Sequence, residues 1–154
     1  MSALDRALLA ERAMTIERHL ARVAEKLPAN AGDLQPISDA ADSVILHLWQ
    51  ATQIVIDLAM AACLLLKLGT PASYADAFRR LQCAAVIDED LAGRLARAAG
   101  FRNVVAHAYE TLDMARVHEA ASKGPPDLRA LLAALRDRVV EPEDRPDDAD
   151  CAPS

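Results

Sequence analysis

Aromatic residues are scarce in this chain: one tryptophan, two tyrosines and two phenylalanines among 154 residues. Glycine is also sparse, at five. Sheet proteins lean on aromatic strands and glycine turns, so this composition argues against a sandwich or barrel. The cysteines are Cys63, Cys83 and Cys151; they form no CxxC pair, and an odd count provides no disulfide framework. Cys63 lies in an apolar stretch and reads as a small buried hydrophobe. That usage fits a reducing cytoplasm. The P-loop, GxGxxG, HExxH and GxSxG patterns are all missing. His107 and His118 would share a helical face, but three turns, roughly 16 Å, are too far for one metal to bridge. No metal and no cofactor are expected.

Alanine supplies 33 positions, so the 53% apolar content overstates the core. Alanine, leucine, arginine and glutamate dominate, and all favour helix. The length suits a single domain with a sizeable core. The formal net charge is −6, yet it is unevenly spread. Residues 141–154 hold six acids and one base, which leaves residues 1–140 close to neutral. The expected division is a helical domain over 1–140 and an acidic tail over 141–154 with the composition of a disordered segment. The acidity therefore does not exclude a nucleic-acid partner.

The N-terminal MSALDRALLAERA carries charge every few residues and has no signal-peptide core. Ala51 to Leu68 is apolar and 18 residues long, at the lower edge of a membrane span. Asp57, Gln53 and Lys67 sit inside it, and a lone intramembrane carboxylate is costly. A buried helix of a soluble protein is the expectation, with no membrane.

Apolar periodicity predicts an all-α, up-down bundle of five or six helices. The first spans about Leu4 to Leu27, with Leu9, Ala13, Ile16, Leu20, Val23 and Leu27 on one face. A loop follows from Pro28 to Pro36. Ser38 or Asp39 caps a long helix whose main stripe runs from Ile37 through Ala41, Val44, Leu48 and Val55 to Leu65. Ile45, Trp49, Ile56, Met60 and Leu64 form a second stripe, so this helix is central and has apolar surface left over for an oligomer. Gly69 to Pro71 should end it. Ser73 caps a third helix, with Asp76 at the capping-box position and Phe78 and Leu81 inward. Asp88 opens a fourth that Gly100 should stop, and Phe101 to Tyr109 forms a further stretch. Gly124 to Pro126 should break the segment after Leu112. Leu128, Leu131, Leu135 and Val139 give the last apolar face.

Chemistry concentrates in Gly100-Phe101-Arg102-Asn103-Val104-Val105-Ala106-His107-Ala108-Tyr109. Asn103 and His107 share a helical face, as do Arg102 and Tyr109; Arg102 and His107 do not. Histidine can take a proton from a ribose 2′-OH or protonate a leaving oxygen. Arginine can hold two phosphate oxygens and stabilise transition-state charge. Asparagine can orient either partner. That set suits phosphodiester cleavage without metal. One histidine is poorly placed to be both acid and base, so two copies at a dimer interface would serve better. The plain alternative is a capped helix with a surface arginine and a satisfied histidine.

GFRNVVAHAYETLD resembles the signature of HEPN-domain proteins of the HepT-like group: Arg102 and Asn103, then His107, Tyr109 and Leu112-Asp113. The preceding context is similar too: a long helix with Gln53 and Asp57, a Pro-Ala-Ser-Tyr start, then FRRLQCAAVIDEDLAGRLARAAGFRN. The resemblance covers about residues 3–140. It implies a helical homodimer with both Arg–His motifs in a shared cleft. It also implies a metal-independent endoribonuclease, the toxin of a type II or type VII-like toxin–antitoxin pair. Arg102, His107 and Asn103 would be catalytic. A nucleotidyltransferase antitoxin would transfer AMP from ATP to Tyr109, and a phosphate-bearing group there would fill the cleft and repel RNA. Asp57, Arg94 and Arg97 are further candidates to line the cleft or bind RNA. The other reading is a non-catalytic module that binds nucleotide, or a nucleotidyltransferase partner, through the same residues. A purely structural bundle stands third.

Overall fold

The computed structural model describes residues 6–139. The expected helix start at Leu4, the tail 141–154 and the side chain of Val139 lie outside the described residues. Five α-helices follow one another: α1 (Arg6–Lys26), α2 (Asp39–Leu65), α3 (Tyr74–Cys83), α4 (Glu89–Ala108) and α5 (Met114–Val139). Short 3₁₀ turns at Ala31–Asp33 and Tyr109–Thr111 complete the chain, with no strand among the described residues.

The helix α2 is the centre and packs against each of the other four. Its main stripe is buried as expected from Ala41 through Val44, Leu48, Ala51, Val55 and Leu58 to Ala62. Leu9, Ile16, Leu20 and Val23 of α1 are buried as well. The larger core joins Ile16, Leu20, Ile56, Phe78, Leu81, Leu95 and Leu131. A smaller one joins Val23, Val44, Leu48, Val105 and Val117. Phe78 is the largest fully buried side chain. Removing such a side chain costs about 3–5 kcal/mol.

Ser38 caps α2, its Oγ accepting the Ala41 N–H at 3.1 Å. Ile37 does not join the stripe. It precedes the cap with φ +55° and is 97% exposed, a strained conformation for a β-branched residue. The far end also departs from expectation. Lys67, not glycine, takes the left-handed conformation, with φ +58°. The Leu68 N–H donates to Cys63 O at 2.8 Å and the Lys67 N–H to Leu64 O at 3.2 Å. This is a Schellman turn. Ala85 closes α3 in the same way, with Val86 N–H on Leu81 O and Ala85 N–H on Gln82 O, both at 2.9 Å. Gly69 is needed for a different reason: its φ is +88°, and a Cβ there would stand 2.8 Å from Arg80 Nη1.

Ser73 caps α3 by accepting the Asp76 N–H at 3.0 Å. Asp76 reaches back one residue further than a capping box and accepts the Ala72 N–H at 2.9 Å. Arg79 and Arg80 also donate to it. The Ala72 N–H, then Arg80 and Arg79, hold its carboxyl well below the usual carboxylate range. Asp88 caps α4 through the Leu91 N–H at 2.7 Å.

Two expected breaks are absent. Gly100 lies inside α4. A glycine costs a helix about 1 kcal/mol relative to alanine but does not end it, and buried Leu95, Ala99 and Val105 hold both sides down. Pro125 and Pro126 lie inside α5. Their missing N–H groups leave the Ala121 and Ser122 carbonyls without helical donors. Burial of Ala121, Pro125 and Leu128 keeps the helix running through.

By length and composition, α2 is also apolar enough to cross a membrane, and 50% of its most apolar window is buried inside the bundle. The uncovered side shows Leu46 and Leu64, 53% and 54% exposed. Cys63 is fully inside, its Sγ against Ala77 O at 3.5 Å, and burial pushes its thiol up to about 11.

One polar pair links α1 to α2. His19 Nδ1 and His47 Nδ1 are 3.0 Å apart, so one ring donates and the other accepts. Burial, then His47 and Arg18, push the His19 pKa below its ordinary value. The unfolded chain therefore takes up a proton near the ordinary histidine pKa while the folded chain resists it. Stability is complete above that pH and declines as pH falls toward the folded-state value. Thermal melts from pH 7.5 to 5 are expected to show a decline that His19→Gln reduces. An equal decline in the variant would assign the effect elsewhere.

Candidate functional site

The motif lies at the end of α4, and one apolar residue orients it. Val105 is buried in the smaller core. With Val105 inward, Asn103, Val104 and His107 are turned out to solvent, while Arg102 is half-buried toward α2 and α3.

Arg102 is the most constrained of these. Its Nε donates to Gln53 Oε1 at 2.5 Å. Its Nη1 donates to Asn103 Oδ1 at 2.8 Å. The guanidinium carbon lies 5.6 Å from the centre of the Trp49 ring and 5.1 Å from that of Tyr74. Each such cation–π contact is worth about 0.5–2 kcal/mol. Two of the chain's five aromatic residues thus serve one arginine. Trp49 also buries its indole N–H without an acceptor among the described residues, a cost accepted where the ring face meets Arg102.

Gln53 in turn donates from Nε2 to Asp57 Oδ1 at 2.9 Å. Asp57 is therefore exposed and paired, and acts on Arg102 only through Gln53. A row Asp57–Gln53–Arg102–Asn103 runs from α2 to α4. His107 is exposed and makes no hydrogen bond or ion pair with a described residue. The structure does not swing Arg102 round toward it. Within one chain the two motif residues stand on different sides of α4.

Tyr109 falls outside α4. The helix ends at Ala108, whose φ of −138° and ψ of 36° start the 3₁₀ turn. The Tyr109 hydroxyl donates to Asp42 Oδ1 in the first turn of α2. That bond, then burial, pushes the phenol pKa above its ordinary value. The ring remains 46% exposed.

Arg94 and Arg97 lie on another face of α4. Arg94 forms an ion pair with Asp127 at 2.9 Å. Arg97 has no hydrogen bond or ion pair to a described residue. Both line a groove of about 430 Å³ between α4 and α5, with Phe101, Arg116 and Lys123, over buried Leu48, Thr52 and Leu128. A larger depression of about 800 Å³ lies between α1 and α5 and holds none of the motif residues. Among the described residues, no three His, Cys, Asp or Glu side chains gather as a metal-binding group.

The family model for HepT-like ribonucleases matches residues 16–135. The chain belongs to the HepT-like ribonuclease family. No curated protein matches it. Solved structures do. A tri-AMPylated HEPN toxin from Shewanella oneidensis, in complex with MNT antitoxin, superposes with a TM-score of 0.73 at 25% identity, over 84% of this chain and 96% of that one. A toxin–antitoxin complex with AMP-PNP gives 0.76 at 24% identity, over 84% and 97%, a likeness of fold. A mutant MntA–HpeT toxin–antitoxin complex gives 0.73 at 25%, over 84% and 97%.

In this HepT-like chain, Gln53 and Asp57 were legible as polar residues on an apolar helix. Trp49, Tyr74 and Asp42 were missed as partners of the motif. Their signal in sequence is only that a scarce aromatic, or a first-turn acid, stands on a helix facing α4.

Proposed function

We propose that this HepT-like protein is the toxin of a toxin–antitoxin pair: a cytoplasmic, metal-independent endoribonuclease that works as a homodimer. Arg102 carries the reading, because a guanidinium fixed by Gln53, Asn103 and two aromatic rings has little freedom left to lose when it binds a phosphate. Arg102 holds the scissile phosphate and stabilises its added charge. Asn103 accepts from Nη1 and helps hold the guanidinium in place. His107 moves the proton, taking it from the 2′-OH or giving it to the leaving 5′-oxygen. The cleaved strand then ends in a 2′,3′-cyclic phosphate.

Two copies supply two imidazoles, one as base and one as acid. The uncovered side of α2, with exposed Leu46 and Leu64 beside Gln53 and Asp57, supports pairing there. Arg97 and Arg116, without ion pairs to described residues in the groove beside the motif helix, continue the phosphate track for flanking RNA; Arg94 is held by Asp127 and serves it less directly. The partner is an MNT-type nucleotidyltransferase that silences the toxin by adding AMP to Tyr109.

The test is purified protein with total RNA in excess EDTA, with mapping of new 3′ ends. Cyclic-phosphate ends at undiminished rate are expected, and scattering should show a dimer. Binding of RNA without new ends would favour the non-catalytic companion. Cleavage abolished by EDTA and restored by a divalent ion would overturn metal independence.

A further inference from the structure

From the contact between α2 and the turn after α4, we infer that Asp42 is the proton acceptor for AMP transfer to Tyr109. This rests on the proposal that Tyr109 is the modified residue. It adds that part of the chemistry of silencing is built into the toxin itself.

Asp42 stands in the first turn of α2, where the helix dipole stabilises a carboxylate. Asp39 fills that role in the same turn. Asp42 does something more specific: its Oδ1 receives the hydroxyl of Tyr109, 67 residues away in sequence. The bond exists because α4 stops at Ala108 and the 3₁₀ turn carries Tyr109 toward α2. Thr111 Oγ1 donates to Ala108 O at 3.2 Å and steadies the turn. The tyrosine ring is accessible, and Asp42 itself is exposed, so a nucleotide can approach the phenol while the carboxylate remains in place.

A phenol bound to a carboxylate ionises less readily. It is a poor nucleophile unless its proton leaves as the new bond forms. In the step, Tyr109 Oη attacks the α-phosphorus of ATP. The bond between that phosphorus and the oxygen bridging to the β-phosphate breaks, and pyrophosphate departs. The phenol proton passes to Asp42 Oδ1 and from there to water. The product phosphodiester carries a negative charge beside the restored carboxylate. Repulsion then loosens the tie between α2 and the turn and drives the adenylated side chain outward.

The experiment uses the full chain, radiolabelled ATP, Mg²⁺ and a purified MNT-type antitoxin. Asp42→Asn keeps an oxygen that can hold the hydroxyl but cannot take its proton. It is expected to lower the maximal rate of label transfer about 100-fold, with the KM for ATP and the antitoxin affinity little changed. Asp42→Glu is expected to recover most of the rate. Cleavage of RNA by the unmodified Asp42→Asn chain reports that the fold is intact. A wild-type transfer rate in Asp42→Asn would overturn the inference, as would equal loss in the Asn and Glu variants, which would mark Asp42 as a positioning group. If the wild-type chain takes no label, the antitoxin reading itself fails, and this inference fails with it.

Discussion

Replacing His107 with alanine is expected to lower RNA cleavage by about 10²–10⁴-fold while leaving the fold untouched. The second half follows from the structure. His107 is exposed and holds no hydrogen bond or ion pair with a described residue, so its loss removes no packing and strands no partner. Arg102→Ala should reduce cleavage by about 10²–10³-fold, with a different signature. It also takes a donor from Gln53 and a cation from between Trp49 and Tyr74. A loss of stability of about 1–3 kcal/mol should accompany it. Arg102→Lys should recover stability better than activity, because an ammonium lacks the planar fork that fits two phosphate oxygens. Turnover on a defined RNA, read beside thermal midpoints, separates the three variants. A His107→Ala protein that cleaves at the wild-type rate would remove the histidine from the mechanism.

Tyr109→Phe is expected to abolish silencing altogether. The variant should take no AMP, and its RNA cleavage should persist when antitoxin and ATP are present. The phenol oxygen is the only nucleophile on that ring, so the effect is all-or-none. The cost to the free toxin is one exposed hydrogen bond to Asp42, on the order of 0.5–1.5 kcal/mol. Cleavage without antitoxin should therefore stay within a few-fold of wild type. Intact-mass measurement before and after incubation reads the modification directly. Label that persists on Tyr109→Phe would place the acceptor at another residue.

The legible parts of this chain share one physical origin. Strict apolar spacing in α1 and α2 marked Leu9, Ile16, Leu20, Val44, Leu48 and Val55, and all are buried. Local capping chemistry marked Ser38, Ser73 and Asp88. Breaks were harder to read, because glycine and proline set local cost while packing decides the outcome. Gly100, Pro125 and Pro126 lie inside helices that buried neighbours on both sides hold together. Where α2 and α3 do end, Lys67 and Ala85 adopt the left-handed turn without help from glycine. The motif was visible as a run of Arg, Asn, His and Tyr. Its supports were not, because Gln53, Trp49, Tyr74 and Asp42 lie 28 to 67 positions from it along the chain in the contacts they make, and no local pattern announces such pairings.

The most direct test of the central claim is induced expression of the wild-type chain beside His107→Ala, with growth scored and RNA ends mapped. Arrest by the wild type alone, with new 2′,3′-cyclic phosphate ends, is the expected result. Equal growth and identical RNA ends in the two strains would contradict it.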